Sequence, residues 1–180
     1  MSLLIERIVA ALGGRAGLKR SVLSIRDGAG VLDAVLGTGE FRRVLEIGTY
    51  RGVSAAYMAH FVEHVTTIDL KHGRLEQLGE PCDREAFWRS LGLDNITLRL
   101  VEDDAEKDAV IAAESFDLAF IDGGKNDIAQ DFERVRHCGA VLFHDVDSRG
   151  LPGQDAVYDF VMALPKEQVT HMDIFALWRG

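Results

Sequence analysis

The sequence predicts an α/β protein with a doubly wound, mainly parallel seven-stranded sheet, helices on both faces and a C-terminal antiparallel hairpin. Two observations support this: short apolar runs alternate with segments of helical periodicity, and glycines or acids follow each of the first five runs. Right-handed crossovers between parallel strands place helices on both faces. Because 180 residues that are 47% hydrophobic suffice for one core, we expect a single domain, 1–180, with an N-terminal helical extension over 1–40.

The N-terminal extension is predicted to contain two helices. Residues 2–12 carry apolar side chains at helical spacing, and a second helical segment over 31–36 ends at Gly37 and Gly39. The apolar face of the first helix is suited either to the edge of the sheet or to a second copy of the chain. A homodimer is therefore one expected arrangement.

Five short runs rich in β-branched residues follow, and each predicts a buried strand because it is too short for a helix. These strands are 44–47, 65–68, 97–101, 118–121 and 141–143. The segments between them predict helices at 54–61, 73–91, 106–113 and 128–136, and Trp88 is expected to pack in the core. The tail predicts a helix at 155–164 and a hairpin of strands 169–171 and 174–178.

Charge and composition exclude several classes of protein. The 29 acidic and 20 basic residues give a net charge of −9, which disfavours binding to a nucleic-acid backbone. Cys82 and Cys138 form no metal-ligand motif and indicate no disulfide framework. Glu6 and Arg7 interrupt the apolar N-terminus, and no apolar run reaches the length of a membrane span. We expect a soluble cytoplasmic protein without nucleic-acid or membrane partners.

The turn after the first strand is the strongest ligand-binding signal, because ligands of doubly wound sheets lie at the carboxyl ends of the strands. Gly48 and Gly52 permit a tight turn and close approach of a ligand, and Ser54 is expected to open the next helix. The GxxxG spacing lacks the GxGxxG pattern of nicotinamide and flavin binding. Glu46, two residues before the first glycine, suits a ligand with an amine and a sulfonium. The alternative is an ordinary strand-to-helix turn.

Acids follow the other strands as well. Asp69, 21 residues after Gly48, is placed to accept hydrogen bonds from ribose hydroxyls, or alternatively to cap a helix. Asp103 or Asp104 is a candidate acceptor for an adenine amino group, although acids are also common at helix starts. Side chains after the fourth and fifth strands are expected at the same rim: Asp122, Lys125, His144 and Asp145.

The segment LEIGTYRGVSA resembles motif I of class I S-adenosylmethionine-dependent methyltransferases, especially the small-molecule O-methyltransferases of the catechol type. The likeness extends over about 44–164 and implies a Rossmann-like fold, S-adenosylmethionine as cofactor and a small-molecule acceptor. It also implies a set of cofactor-binding residues. They are Glu46, Gly48, Thr49, Tyr50, Gly52 and Ser54 around the methionine part, Asp69 at the ribose, Asp104 and Ala105 at the adenine, and Asp122 at the amino group or a metal.

The resemblance further implies catalytic roles at the rim. Lys125 stands where catechol-type enzymes hold a catalytic lysine, with a solvated loop lysine as the alternative, and His144 and Asp145 are candidates to contact the acceptor. Asp122 and Asp145 match two magnesium ligands of those enzymes, but Val146 replaces the asparagine that supplies the third. Magnesium keeps waters readily, so two carboxylates could suffice and Asp147 could replace the missing ligand, and the pattern leaves the need for magnesium open.

Methyl transfer to an oxygen of a small molecule is the function that these residues favour. Two other functions are weighed against it. One is a catalytically silent S-adenosylmethionine-binding or oligomeric regulatory protein of the same fold. The other, a nicotinamide-dependent oxidoreductase, is disfavoured by the missing GxGxxG turn. The identity of the acceptor carries no sequence motif, because loops build its pocket.

Overall fold

The computed structural model of the protein describes residues 3–12, 23–73, 77, 82–147 and 154–180. Two helices, α1 (Leu3–Ala11) and α2 (Leu23–Leu36), precede the sheet. The central elements are β1 (Arg43–Ile47), α3 (Val53–Met58), β2 (His64–Leu70), α4 (Arg84–Ser90), β3 (Ile96–Val101), α5 (Asp104–Ala113), β4 (Leu118–Ile121), α6 (Ile128–Val135) and β5 (Ala140–Phe143). The chain ends with α7 (Gln154–Ala163), β6 (Val169–Met172) and β7 (Phe175–Arg179). Among the described helices, none has the length and apolarity needed to cross a membrane.

The seven strands form one sheet in the order β3-β2-β1-β4-β5-β7-β6. Strands β1 to β5 are parallel, whereas β7 runs antiparallel to both β5 and β6. The chain moves outward from β1 to β3 and then returns to β4 beside β1, so the strand order reverses between β1 and β4. A crevice outside the carboxyl ends of these two strands is the expected place for a ligand in such a sheet.

Two hydrophobic clusters cover the two faces of the sheet. Alternate residues of β1 divide between them, since Val44 belongs to one cluster and Leu45 to the other. Helices α1 to α4 contribute to the first cluster, with Ile8, Leu36, Tyr57 and Trp88. Helices α5 to α7 contribute to the second, with Ile111, Phe132, Val157 and Val161. The predicted doubly wound sheet with helices on both faces is confirmed.

The predicted elements differ from the observed ones mainly in their bounds. All seven strands are present, and several extend one or two residues beyond the apolar run. The second helix, predicted over 31–36, spans Leu23–Leu36. Of the helix predicted over 73–91, the described part is helical at residue 77 and over Arg84–Ser90, while 74–76 and 78–81 lie outside the described residues.

Candidate functional site

The turn after β1 is held in a left-handed backbone conformation at three positions. Gly48, Tyr50 and Gly52 have φ values of 103°, 45° and 73°. A Cβ atom on Gly48 would lie 2.7 Å from the backbone of Gly123, in the turn after β4, and one on Gly52 would lie 2.6 Å from the indole of Trp88. Both glycines are therefore required by packing within the protein, and the turns after β1 and β4 touch each other at Gly48.

Glu46 supports this turn from inside the sheet. It is fully buried, the Ser54 hydroxyl donates to its Oε1, and the Thr67 hydroxyl donates to its Oε2 at 2.5 Å. Thr49 and Thr67 share a further hydroxyl contact of 2.6 Å. Burial raises the pKa of Glu46 to about 8, although both hydroxyl donors oppose the shift. The carboxyl group is therefore mostly protonated at neutral pH.

The prediction that Ser54 opens the helix after the turn is wrong. Helix α3 begins at Val53 after Gly52, which provides no side-chain cap, and the Ser54 side chain is directed to Glu46 instead. Leaving a buried carboxyl group without hydrogen bonds costs more free energy than leaving the first turn of a short helix without a side-chain cap.

Asp69, at the end of β2, is linked to the same turn. Its Oδ2 accepts the Tyr50 N–H at 3.0 Å and an N–H of Arg84 at 2.8 Å, while its Oδ1 accepts the Leu70 N–H at 3.0 Å. The Asp69 side chain retains 17% exposure, compared with 5% for Arg84. The carboxylate thus reaches the surface in front of a buried guanidinium group.

The two residues predicted at an adenine lie at the start of α5. Asp103 caps this helix by accepting the Glu106 N–H at 2.9 Å, which is the alternative role considered for it. The Asp104 side chain is 55% exposed and pairs with Lys107 at 3.3 Å and Arg134 at 3.1 Å. These two partners lower the pKa of Asp104. Ala105 is exposed beside it, and contact of either residue with an adenine stays a prediction.

Four charged side chains meet at the carboxyl ends of β4 and β5, as the sequence predicted. We call Asp122, Lys125, His144 and Asp145 the rim cluster. Lys125 Nζ lies 3.1 Å from Asp122 Oδ1 and 2.8 Å from Asp145 Oδ2. His144 Nδ1 lies 2.8 Å from Asp122 Oδ1 and 3.3 Å from Asp145 Oδ1. Each cation of the cluster therefore contacts both carboxylates.

The rim cluster holds two cations and two anions at neutral pH. Burial acts to lower the pKa of His144, but Asp122 and Asp145 outweigh it and raise this pKa to about 9. The same carboxylates raise the pKa of Lys125 against its burial. Burial alone would raise the pKa of both carboxyl groups, yet the two cations lower it. The cluster is therefore nearly neutral as a whole.

One buried nitrogen of the rim cluster makes no hydrogen bond within the part of the chain that the structure describes. His144 Nε2 is buried and has no hydrogen-bond partner among the described residues. Its ring lies beside the aromatic rings of Phe175 and Phe120, with centroid distances of 4.9 Å and 6.3 Å. Because the imidazole is protonated at neutral pH, this atom is an N–H donor available to an oxygen that enters the site.

The rim cluster brings together the ligand atoms that a metal ion would use, but it does not fit magnesium in this arrangement. Donor atoms of Asp122, His144 and Asp145 lie within 4.8 Å of one another. Magnesium requires oxygen donors in near-octahedral geometry. The third member of this group, His144, is an imidazole that donates to the carboxylates and not an oxygen ligand. The buried Val146 offers no side-chain oxygen. The Lys125 ammonium group already bridges the two carboxylates.

Several residues that shape the site were not predicted from the sequence. Arg84, Thr67 and Gly123 contact the predicted residues, and Trp88 donates from Nε1 to the Gly52 carbonyl at 2.8 Å. No motif marks them, because they lie 15 to 36 positions from a partner or in another turn. The apolar character of Trp88 predicted its burial but not this contact.

Three solved structures illustrate the similarity in fold, and two of them, TomG and the Bacillus cereus protein, are O-methyltransferases. Cofactor-bound Rv0187 from MTB aligns with a TM-score of 0.72 and 20% identity, over 99% of this chain and 90% of that chain. TomG from Streptomyces achromogenes, an O-methyltransferase in complex with SAM, aligns with a TM-score of 0.67 and 17% identity, over 100% and 91%. The O-methyltransferase from Bacillus cereus in complex with SAH aligns with a TM-score of 0.67 and 18% identity, over 100% of this chain and 92% of that chain. Curated protein sequences give no significant match.

These alignments define the class of fold, which is the Rossmann-like fold of methyltransferases. A family model described as a methyltransferase domain matches residues 45–146. This span contains the turn after β1, Asp69 and the whole rim cluster. The chain belongs to this methyltransferase-domain family, and the resemblance based on LEIGTYRGVSA is confirmed.

Proposed function

We propose that the protein transfers the methyl group of S-adenosylmethionine to an oxygen atom of a small molecule. The observation that carries this proposal is the contact between the two halves of the site: the left-handed turn at Gly48 touches the turn that bears Asp122 and Lys125. A cofactor over the first turn would place its reactive carbon beside the charged groups of the second. Family membership and the SAM and SAH complexes of similar fold support the same function.

The cofactor half of the proposed site is formed by the ends of β1, β2 and β3. The turn over Gly48, Thr49, Tyr50 and Gly52 receives the methionine part, with Glu46 and Ser54 supporting the turn from below. Asp69 accepts hydrogen bonds from the ribose hydroxyls through its exposed edge. Asp104 and Ala105 border the adenine. Asp122 accepts a hydrogen bond from the amino group of the methionine part.

The chemistry of the proposed reaction is a direct displacement. The acceptor oxygen attacks the methyl carbon, the carbon–sulfur bond breaks, and its electron pair returns to sulfur to give S-adenosylhomocysteine. The positively charged sulfonium already activates the methyl group, so the protein contributes mainly the alignment of oxygen, carbon and sulfur. The remaining task is to remove the proton of the acceptor hydroxyl.

The rim cluster performs that task in our proposal. His144 donates its Nε2–H to the acceptor oxygen and fixes its direction. The neutral amine form of Lys125 takes the proton, while Asp145 and Asp122 hold both cationic groups in place. Because the carboxylates raise the pKa of Lys125, the neutral amine is scarce at neutral pH. Turnover should therefore increase with pH through the alkaline range.

The partners follow from charge and surface. A net charge of −9 favours a small-molecule acceptor over a nucleic acid. A cytoplasmic location without membrane association is part of the same proposal. Leu3, 81% exposed at the start of α1, is one of the exposed apolar side chains available for the proposed homodimer. Size-exclusion chromatography with light scattering measures this: the monomer mass at all concentrations would refute the dimer.

The test of the proposed function is a panel of phenols, catechols, carboxylates and amines incubated with methyl-labelled S-adenosylmethionine. We expect label in an O-methylated product of a phenol, a catechol or a carboxylate. Label only in amines would refute O-methylation while leaving methyl transfer. Binding of S-adenosylhomocysteine without transfer to any acceptor of the panel would favour the alternative, a catalytically silent cofactor-binding protein.

A further inference from the structure

We infer that Arg84 is a positioning residue for the cofactor site: it fixes the carboxylate of Asp69 and the left-handed turn at Tyr50 before the cofactor binds. This inference rests on the proposed function, because it assigns Arg84 a role in recognition of the adenosyl group. Nothing in the sequence marks Arg84, which lies in a helix without a ligand-binding motif.

The geometry joins three groups through one guanidinium. Arg84 donates from Nη2 to Asp69 Oδ2 at 2.8 Å and from Nε to the Tyr50 carbonyl at 2.5 Å. The Tyr50 N–H donates to the same Asp69 oxygen at 3.0 Å. The planar guanidinium can serve two acceptors in fixed directions, which a lysine ammonium group on a flexible stem does less well. Both peptide groups that flank Tyr50 are therefore held by the Arg84–Asp69 pair.

The turn needs this support because Tyr50 has a φ of 45°. Residues other than glycine adopt this left-handed region at an energetic cost, so the surrounding structure must stabilise it. The same helix, α4, provides a second hold on the turn, since Trp88 donates to the Gly52 carbonyl at 2.8 Å. Helix α4 thus holds carbonyl groups at both Tyr50 and Gly52.

The two members of the pair differ in their exposure to solvent. The Arg84 side chain is 5% exposed and lies behind the Asp69 carboxylate, which is 17% exposed. Arg84 and the Tyr50 N–H donate to Oδ2 of Asp69, and the Leu70 N–H donates to Oδ1. These donors set the orientation of the carboxylate before the ribose hydroxyls reach its exposed part, so binding requires less ordering of the site.

The experiment measures the dissociation constants of S-adenosylhomocysteine and of its 2′-deoxyribose analogue by isothermal titration calorimetry. Wild type is compared with Arg84→Ala, Arg84→Lys and the control Arg89→Ala. Arg89 lies on the same helix and is 66% exposed, and its one ion pair with a described residue is the 3.7 Å contact with Glu85. Circular dichroism of each variant establishes that it is folded at the temperature used, and Arg84→Lys provides the measurement if Arg84→Ala does not fold.

We expect both Arg84 variants to weaken S-adenosylhomocysteine, by about tenfold for alanine and less for lysine, while Arg89→Ala stays within about twofold of wild type. The deciding readout is the ratio of the two dissociation constants. If Arg84 acts through the Asp69–ribose contact, the preference for the ribose form falls toward one in the Arg84 variants, whereas general loosening of the fold weakens both ligands equally.

Two outcomes would refute this inference and are separate from failure of the proposed function. An unchanged ratio in Arg84→Lys, with wild type binding S-adenosylhomocysteine, would overturn the positioning role. An equal loss of affinity in Arg89→Ala would overturn it as well. If wild type binds neither ligand, the proposed function itself is refuted.

Discussion

Replacing Glu46 with glutamine should remove a large pH dependence from the stability of the protein. Burial raises the pKa of Glu46 from an ordinary value of 4.5 to about 8, so the folded chain retains a proton that the unfolded chain releases between these values. The free energy of unfolding of wild type therefore decreases as pH rises through this window, by up to about 1.4 kcal/mol per pH unit. Glutamine has a similar shape and does not titrate.

Between about pH 5 and 6.5, Glu46 dominates the pH dependence of the unfolding free energy. Above this window, His144 contributes in the same direction: its raised pKa gives stability that is fully present below its ordinary value of 6.5 and is lost as pH rises toward about 9. Asp122 and Asp145 contribute little in this window, because their lowered pKa values give stability that is lost only at more acidic pH. Within the window, wild type should lose about 2 kcal/mol relative to Glu46→Gln.

Urea denaturation at several pH values measures this difference. Glu133→Gln serves as the control, since Glu133 is an exposed glutamate on α6 whose partner is Arg136, at 3.0 Å. The control should follow wild type. If Glu46→Gln shows the same decrease in unfolding free energy as wild type between pH 5 and 6.5, the proposed state of Glu46 is wrong.

Three further predictions concern the turn and the rim cluster. Gly48→Ala should cost about 2–4 kcal/mol of unfolding free energy, because a Cβ at a φ of 103° meets the Gly123 backbone at 2.7 Å. Lys125→Met should reduce turnover by about a hundredfold or more while leaving the affinity for S-adenosylhomocysteine within about twofold. A chelator should not change turnover of wild type. Millimolar magnesium should raise the melting temperature of Lys125→Met but not of wild type, because only the variant lacks the Lys125 ammonium group between the two carboxylates, which leaves His144 as their remaining bridge.

The control for Gly48→Ala is Gly30→Ala, at a helical glycine whose added Cβ would meet no described atom within 4 Å outside its own helix. This substitution should be neutral or slightly stabilising. A stable Gly48→Ala protein would mean that the turns after β1 and β4 are not packed as described. Lys71→Met controls for loss of a lysine elsewhere, and full turnover in Lys125→Met would remove Lys125 from the chemistry. Stabilisation of wild type by magnesium would show that a metal displaces the lysine.

The sheet was predictable from sequence because its signals are local. A run such as Leu118–Ile121 is buried on both faces of the sheet, so continuous apolar residues mark it directly. The meeting of Asp122 with Asp145 was also predictable, since the carboxyl ends of parallel strands share one edge. Lys125 pairs with Asp122 three residues away, a separation at which residue spacing indicates contact.

The contacts that define the inner side of the site were not predictable, because their partners are distant in sequence. Glu46 was expected to face the cofactor, yet it is buried against Thr67, 21 residues away. Arg84 reaches Tyr50 over 34 residues. The ion pairing within the rim cluster was also not evident from the sequence. Two acids with a nearby lysine and histidine are typical of a metal site or of a general base, and only the distances show that the cations bridge the carboxylates.

The binding of S-adenosylhomocysteine tests the central claim most directly. At 100 times its dissociation constant, a ligand that binds only the folded protein adds about 2.7 kcal/mol to its stability. Thermal denaturation with S-adenosylhomocysteine and with NAD, each at up to millimolar concentration, should show a rise in melting temperature that depends on concentration for the first ligand alone. No shift with S-adenosylhomocysteine, or an equal shift with NAD, would contradict the account of this chain as an S-adenosylmethionine-dependent methyltransferase.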